Sequence, residues 1–218
     1  MAGKRLDNIL FESGLAPSRE KARALIMAGN VLVNDVPVTK AGAQVQPDAE
    51  IRLRGKTSKF VSRGGDKLAG ALDVFGIDPA GLNTIDIGAS TGGFSHCLLE
   101  RGAATVCCVD VGYGQLDPLL RNDPRVTVFE KTNARYLTPE KFDTLFDLMV
   151  VDVSFISLLK VIPALIILLK DNASILALVK PQFEAGPQRV GKGGVVRKAS
   201  THEEILNEVI EGIRKLGA

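Results

Sequence analysis

A glycine-rich turn between a predicted strand and a predicted helix carries the clearest chemical signal in this 218-residue sequence. It reads Asp86-Ile87-Gly88-Ala89-Ser90-Thr91-Gly92-Gly93-Phe94-Ser95. Glycines at such a turn let backbone N–H groups approach a ligand without obstruction by side chains. Because ligands of open α/β sheets lie at the carboxyl ends of strands, the turn predicts a binding site. Its spacing differs from the Gly-x-Gly-x-x-Gly of dinucleotide-binding proteins.

An acidic residue follows at the position where a ligand's sugar is commonly held. Asp110 ends the next predicted strand, 22 residues after Gly88. A carboxylate there can hydrogen-bond a ribose diol. Glycines also close strand-to-helix corners with no ligand involved, and the glycines alone leave that interpretation open. Asp110 favours the binding site.

Five apolar runs of strand length position this turn: residues 84–88, 105–110, 126–130, 147–153 and 174–180. Helical stretches separate most of them, which is the pattern of β-α-β units. We therefore expect an α/β fold: a Rossmann-like domain with a mostly parallel sheet and helices on both faces.

The first 60 residues differ from the rest of the chain in their balance of charge. They hold ten Lys/Arg and six Asp/Glu, whereas the rest of the chain holds 17 and 19. Ser18 is placed to cap a second short helix and Gly29 to end it, with short strands beyond. Arg19 and Arg23 are four residues apart on that helix and share its polar face. This basic face predicts contact with phosphates, and charge alone leaves an ordinary solvated surface as the alternative.

A short polar and basic stretch, residues 54–59, marks a domain boundary. We expect a small α+β domain over residues 1–54, a linker over 55–61 and the larger domain over 62–218.

Composition argues against several classes of protein. Hydrophobic residues make up 45% and charged residues 24% of the chain, the balance of an ordinary globular protein. The longest apolar run, residues 161–169, is too short to span a bilayer, and the first residues lack the apolar stretch of a signal peptide. We expect a cytoplasmic protein with no membrane partner.

The three cysteines, Cys97, Cys107 and Cys108, lack the spacing of a metal site, so we expect them to be core residues and expect no metal.

The first segment contains the stretches Arg5-Leu6-Asp7, Gly14-Leu15, Ser18-Arg19, Ala22, Leu25-Ile26, Gly29, Val31 and Val33-Asn34. Together they resemble the alpha-L RNA-binding motif of a small-subunit ribosomal protein, pseudouridine synthases and tyrosyl-tRNA synthetases. The resemblance implies RNA contact through the helix pair. The basic residues that we expect to bind RNA are Lys4, Arg5, Arg19, Lys21, Arg23 and Arg63.

The order Asp-x-Gly-x-x-x-Gly-Gly-Phe-Ser of the glycine-rich turn resembles the S-adenosylmethionine loop of FtsJ-type ribose methyltransferases. The wider chain is similar to the TlyA family, often labelled hemolysin A. Further matching stretches are Val61-Ser62-Arg63-Gly64-Gly65, Lys67-Leu68, Val109-Asp110-Val111-Gly112-Tyr113-Gly114-Gln115-Leu116, Thr132-Asn133-Ala134-Arg135, Val151-Asp152-Val153-Ser154-Phe155-Ile156-Ser157, Leu178-Val179-Lys180-Pro181-Gln182-Phe183-Glu184 and Gly193-Gly194-Val195-Val196-Arg197. The resemblance implies methylation of a ribose 2′-hydroxyl, at cytidine, in ribosomal RNA or ribosomal subunits.

The same resemblance implies a cofactor site. Gly92 and Phe94 would border the methionine part of S-adenosyl-L-methionine, Asp110 would bind the ribose, and Asn133 would meet the adenine amine. A lone asparagine in a loop is also common as a turn residue. The full set of cofactor candidates is Asp86, Gly88, Ser90, Gly92, Gly93, Phe94, Asp110, Val111, Asn133 and Asp152.

Methylating a hydroxyl requires a group that takes its proton. A lysine does this only when burial or a neighbouring cation favours its neutral form. FtsJ-type enzymes surround the methyl transfer with a Lys–Asp–Lys–Glu set, and Lys67, Asp152 and Lys180 match the first three members. The match implies Lys180 as proton acceptor, Asp152 as its positioning group and Lys67 as the cation that favours the neutral base. Spacing alone favours three ordinary charged residues.

No position matches the fourth member, a Glu that the family carries after the helix that begins here near Thr201. Glu184 lies in a different element and is not a candidate. Because the family adds two further strands in that region, we expect an incomplete sheet whose fifth strand has an unpaired edge, and weak methyl transfer. Residues 181–199 would form an RNA-facing lid or be disordered.

Two other classes of function stay open as alternatives. A non-catalytic RNA-binding protein would retain the cofactor fold and bind RNA without methyl transfer. A membrane-active hemolysin has little support, because no segment is long and apolar enough to span a bilayer and no helix is strongly cationic and amphipathic. The modified nucleotide and the oligomeric state do not follow from the sequence.

Overall fold

The structure, a computed structural model, describes residues 3–46, 49–54, 58–186, 188–191 and 193–216. The chain divides into two compact units, Met1–Thr57 and Ser58–Ala218. Part of the linker expected from the sequence, residues 55–57, lies outside the described residues. The rest of it, residues 58–61, packs within the second unit, where the backbone N–H of Val61 donates to Nδ1 of His96 at 3.1 Å.

The first unit combines two helices with short antiparallel strand pairs. Its elements are β1 (Lys4–Arg5), α1 (Leu6–Glu12), α2 (Arg19–Met27), β2 (Val31–Val33), β3 (Val36–Pro37), β4 (Gln44–Val45) and β5 (Ile51–Leu53). Strand β1 pairs with β4, and β2 lies between β3 and β5. The predicted cap of α2 is confirmed, since Ser18 Oγ accepts a hydrogen bond from the backbone N–H of Lys21 at 3.1 Å. Leu6, Leu10 and Ile26 are fully buried between the two helices and β2.

The second unit is an α/β sandwich. Its strands are β6 (Asn83–Ile87), β7 (Thr105–Val109), β8 (Val126–Phe129), β9 (Phe146–Val151) and β10 (Leu169–Ala177). Its helices are α3 (Gly64–Phe75), α4 (Gly93–Glu100), α5 (Pro118–Arg121), α6 (Leu158–Leu165), α7 (Pro181–Glu184) and α8 (Ala199–Arg214). Short 3-10 turns occupy Ala134–Tyr136, Pro139–Lys141 and Ile166–Leu168.

The five strands form one parallel sheet in the order β10-β9-β6-β7-β8. Alternate residues of a strand point to opposite faces, and each face is covered here. Val106 and Cys108 face the layer of α3 and α4, whereas Cys107 and Val109 face the layer of α6 and α8. The predicted fold class is therefore confirmed, and Cys97, Cys107 and Cys108 are buried core residues as expected.

The fifth strand differs in extent from the predicted run of residues 174–180. It begins at Leu169, which pairs with Phe146, and an irregularity near Asn172 separates that pair from the regular ladder. Because it ends at Ala177, Lys180 follows the strand rather than closing it. Within the described residues β10 pairs with β9 alone, so its other edge is unpaired there.

The stretch expected to be a lid or disordered loop is partly helical. Its first turn is α7, and α8 begins at Ala199. Across the residues that the structure describes, no helix is long and apolar enough to cross a membrane.

Candidate active site

The carboxyl ends of the parallel strands gather the predicted site residues at one edge of the sheet. The glycine-rich turn follows β6, Asp110 follows β7 and Asp152 follows β9 directly. Lys180 follows β10 after two intervening residues and stands at the N-cap of α7. Since neighbouring parallel strands end side by side, this topology is what brings the residues together.

Two glycines of the glycine-rich turn combine a left-handed backbone conformation with close packing. Gly88 has a φ of 87°, and a Cβ there would lie 2.7 Å from the backbone oxygen of Asp152. Gly92 has a φ of 89°, and a Cβ there would lie 2.1 Å from a methyl group of Leu120. A side chain at Gly88 would push the turn away from Asp152, so the two strand ends touch only because this residue is glycine.

Asp86 is buried beneath the glycine-rich turn and stabilises it through hydrogen bonds. Its side chain is 1% exposed, and Oδ2 accepts hydrogen bonds from the hydroxyl of Ser95 at 2.6 Å and from the backbone N–H of Ser95 at 3.0 Å. Burial raises the pKa of Asp86 to about 7, although the bonds from Ser95 favour the charged form. The structure thus places this cofactor candidate beneath the turn, where it fixes the start of α4.

Asp110 lies in a small cleft beside the turn. Its Oδ2 accepts from the backbone N–H of Ser90 at 2.8 Å, and its Oδ1 accepts from that of Gly112 at 2.6 Å. Each carboxylate oxygen has a second lone pair for a further donor. Gln115 and Glu130 line the same cleft. Its acceptors suit the hydroxyls of a ribose and the amine of an adenine, so the residues fit the adenosyl part of the implied cofactor.

Sequence reasoning missed Glu130 as a member of this cleft. It accepts from the guanidinium of Arg121 at 2.5 Å and from the backbone N–H of Gly114 at 2.8 Å. The bond from Arg121 is the main cause that lowers the pKa of Glu130. These contacts join the end of β8 to the loop that follows Asp110.

The remaining cofactor candidates differ in their surroundings. Asn133 Oδ1 accepts from the backbone N–H of Arg135 at 3.1 Å and caps a 3-10 turn, and the second lone pair of this oxygen can accept from the amine of a ligand. Val111 is 72% exposed, whereas Phe94 is buried close to Gly64. Ser90, with a φ of 50°, and Gly93 complete the turn.

Asp152 and Lys180 meet. Nζ of Lys180 lies 2.5 Å from Oδ1 of Asp152, and the two side chains are 20% and 22% exposed. Nζ also donates a hydrogen bond to Oγ of Ser154 at 2.9 Å. The contact with Asp152 is an ion pair and not an aligned hydrogen bond, because Oδ1 has no well-aligned donor among the described residues. The amine of Lys180, the carboxylate of Asp152 and the hydroxyl of Ser154 are therefore in contact just beyond the carboxyl ends of β9 and β10.

Lys67, the third predicted catalytic residue, makes no hydrogen bond or ion pair with this group among the described residues. It lies on α3 and is exposed, and within the described part of the chain its side chain has no hydrogen bond or ion pair. The structure thus brings Asp152 and Lys180 into contact, and the role of Lys67 stays a prediction.

The basic residues of the first unit divide into two groups. The guanidinium groups of Arg5 and Arg23 both bind the buried carboxylate of Asp7, at 2.7 and 3.2 Å, and Lys4 forms an ion pair with Glu12. The bond from Arg5 is the main cause that lowers the pKa of Asp7 to about 2. Asp7 therefore holds two of the predicted RNA-binding residues side by side, while their outer faces stay in solvent.

The other predicted RNA-binding residues lie at element ends. Arg19 begins α2 and is exposed, without an ion pair among the described residues. Lys21 lies two residues further along the same helix. Arg63, in the second unit, stands exposed at the N-cap of α3.

Comparisons with known proteins cover both units. Residues 60–217 match the family described as FtsJ-like methyltransferase, and residues 4–51 match the S4 domain. The 16S/23S rRNA (cytidine-2'-O)-methyltransferase TlyA of Mycobacterium tuberculosis is 47% identical over 214 residues, which is 98% of this chain and 80% of that protein. Hemolysin A of Brachyspira hyodysenteriae is 42% identical, over 98% of this chain and 89% of that protein.

A solved structure extends the match to three dimensions. A protein from Streptococcus thermophilus described as a hemolysin superposes with a TM-score of 0.77 at 43% sequence identity, covering 100% of this chain and 80% of that one. The likeness therefore includes both units and the strand edge where the candidate site lies.

Proposed function

The chain belongs to the FtsJ-like methyltransferase family, and from that premise we propose that it methylates the 2′-hydroxyl of a cytidine ribose in ribosomal RNA, with S-adenosylmethionine as methyl donor. The TlyA relative, whose name states this reaction, supports the substrate. The match of residues 4–51 to the S4 domain and the basic residues of the first unit support RNA binding. In this proposal the methyl transfer takes place on ribosomal subunits in the cytoplasm.

The contact between Lys180 and Asp152 is the observation that carries the proposal. It stands at the carboxyl edge of the sheet, where the glycine-rich turn touches the backbone of Asp152. In its neutral form, a lysine at this place can take the proton of a ribose hydroxyl, which raises the nucleophilicity of the oxygen. The carboxylate of Asp152 stabilises the ammonium that results.

The cleft at Asp110 supplies the second half of the site. When bound, S-adenosylmethionine supplies a methyl group on a positively charged sulfur, which is the electrophile of the reaction. Asp110 accepts from the ribose hydroxyls of that cofactor, and Asn133 meets its adenine amine. Gly88 lets the turn lie against the backbone of Asp152, the partner of Lys180, and Gly92 lets it pack against Leu120.

Methyl transfer from labelled S-adenosylmethionine to ribosomal subunits tests the proposal. The subunits come from a strain that lacks the gene, and the product is mapped for 2′-O-methylated nucleotides. We expect methylation of cytidine ribose. Methyl groups on a base, or RNA binding with no methyl transfer, would contradict the proposal and favour the non-catalytic RNA-binding class.

A further inference from the structure

The lysine at the strand edge has one well-aligned hydrogen-bond partner among the described residues, and it is Ser154. Nζ of Lys180 donates to Oγ of Ser154 at 2.9 Å. The closer contact, to Asp152 Oδ1 at 2.5 Å, lacks hydrogen-bond alignment. Charge attracts Nζ towards Asp152, but an ion pair fixes the direction of the nitrogen's hydrogens less strictly than a hydrogen bond does.

We propose that Ser154 is a positioning residue that aims the amine of Lys180 at the substrate hydroxyl. This inference rests on the proposed function and adds a residue to it. A neutral amine has a bond to Cε, two hydrogens and one lone pair in tetrahedral directions. With one hydrogen held by Ser154, only two directions remain for the lone pair, and the charge of Asp152 favours the one that points away from its carboxylate.

That direction decides where the proton goes. The 2′-hydroxyl proton moves to the lone pair of Nζ while the electrons of the O–H bond stay on the oxygen, which forms the new bond to the methyl carbon. The electron pair of the broken carbon–sulfur bond remains on sulfur, and Lys180 ends as an ammonium with three N–H donors. Proton transfer depends steeply on such alignment, so a freely rotating amine is a poorer base.

The location of Ser154 fits this task. It is the second residue after Asp152, in the loop between β9 and α6, and it is exposed. It is not part of the apolar core, so its replacement leaves the packing of the sheet intact. The loop itself is anchored further on, where Ser157 Oγ accepts from the backbone N–H of Leu159 at 3.2 Å.

Three variants separate orientation from loop structure. Ser154→Ala removes the acceptor, Ser154→Thr keeps it, and Ser157→Ala is the matched control, because it removes a hydroxyl of the same loop that does not touch Lys180. Single-turnover methyl transfer, the KM for ribosomal subunits and calorimetric affinity for S-adenosylmethionine are measured for each.

We expect Ser154→Ala to lower the single-turnover rate by about tenfold or more, the loss of one hydrogen bond to a charged or reacting group. The KM and the cofactor affinity should stay near those of the unmodified protein, and Ser154→Thr should restore most of the rate. Ser157→Ala, which removes a helix cap but no contact with Lys180, should lose much less of the rate than Ser154→Ala. In a Lys180→Met background, Ser154→Ala should cause no further loss.

A full rate for Ser154→Ala would overturn the inference while leaving the proposed function standing. So would an equal loss for Ser157→Ala, a Thr variant as slow as Ala, or a further loss without the lysine. An unmodified protein that transfers no methyl group at all would overturn the proposed function, and this inference with it.

Discussion

The carboxylate of Glu184 accepts a hydrogen bond from the backbone N–H of Leu158 at 2.9 Å. Leu158 begins α6, the helix after Asp152, and Glu184 ends α7, the turn after Lys180. The rings of Phe155 and Phe183 lie 5.0 Å apart and join the same two segments. Glu184 thus acts as a helix cap that ties the Lys180 segment to the Asp152 loop.

Replacing Glu184 should loosen this tie. Glu184→Ala removes a helix cap, so we expect a loss of about 1 kcal/mol in the free energy of unfolding together with slower methyl transfer. Glu184→Gln should preserve most of both, because its amide oxygen still accepts the N–H of Leu158. Denaturant unfolding and single-turnover rates measure the two effects, with the exposed Glu203→Ala as control. Equal stability and rate for Glu184→Ala would disprove the role.

Asp110 is expected to bind the cofactor ribose. Asp110→Ala should weaken S-adenosylmethionine binding by about 1.5–3 kcal/mol, the range for a hydrogen bond to a charged group. Calorimetry measures this loss, and Asp143→Ala is the matched control, since it removes an exposed carboxylate just before β9, at the opposite end of the sheet. Unchanged affinity for the Asp110 variant would remove this residue from the site.

Arg19 and Arg23 are expected to contact phosphates. Replacing both with alanine should weaken RNA binding and reduce the slope of log affinity against log salt by up to about two units. Arg52→Ala is a control within the same unit, because that arginine is paired with Asp35 at 2.5 Å. The two residues differ in one respect: Arg23 also binds Asp7, so its loss should lower stability as well. If the slope of log affinity against log salt stays unaltered, Arg19 and Arg23 belong to an ordinary solvated surface and do not contact phosphates.

Burial of Asp86 predicts a specific pH dependence of stability. The carboxyl releases its proton near pH 4 in the unfolded chain, whereas in the folded protein its pKa is about 7. Between these values the folded state binds more protons, so this group's contribution to stability is full below about pH 4 and is lost as pH rises to about 7, by at most about 1.4 kcal/mol per unit.

Asp86→Asn should remove that slope, because an amide does not titrate. Denaturant unfolding at several pH values between about 4 and 8 compares it with the unmodified protein and with Asp143→Asn. Parallel stability curves for Asp86→Asn and the unmodified protein would show that Asp86 ionises normally in the folded state.

The main lines of the fold follow from local patterns. Apolar runs separated by helical stretches predict the parallel sheet, and the Ser18 cap predicts the start of α2. The extent of β10 does not follow, because its first residue pairs with Phe146 across an irregularity at Asn172, whose φ is 64°. The pairing of Leu169 depends on the neighbouring strand β9, so the sequence of β10 itself shows no alternation of apolar and polar residues that would predict it.

Part of the candidate site could also be predicted from the sequence. Asp152 and Lys180 were predicted from the resemblance to the Lys–Asp–Lys–Glu set of FtsJ-type enzymes, because spacing alone favoured ordinary charged residues, and the topology then brings them together. Ser154 and Glu184 were missed as contributors, because their partners lie 26 residues away in sequence and only tertiary contacts join them. Asp7 was missed as the partner of Arg5 and Arg23 because a lone carboxylate in a basic segment gives no signal of its burial.

Single-turnover methyl transfer by Lys180→Met tests the central claim most directly. Lysine and methionine have similar length, so the variant removes the proton acceptor with little change in volume, and exposed Lys160→Met on α6 is the control. We expect the rate to fall by about 100-fold or more, the range for general base catalysis, with unchanged affinity for S-adenosylmethionine and RNA. Transfer to the cytidine 2′-oxygen at the unmodified rate would contradict the assignment of Lys180 as the group that takes the proton.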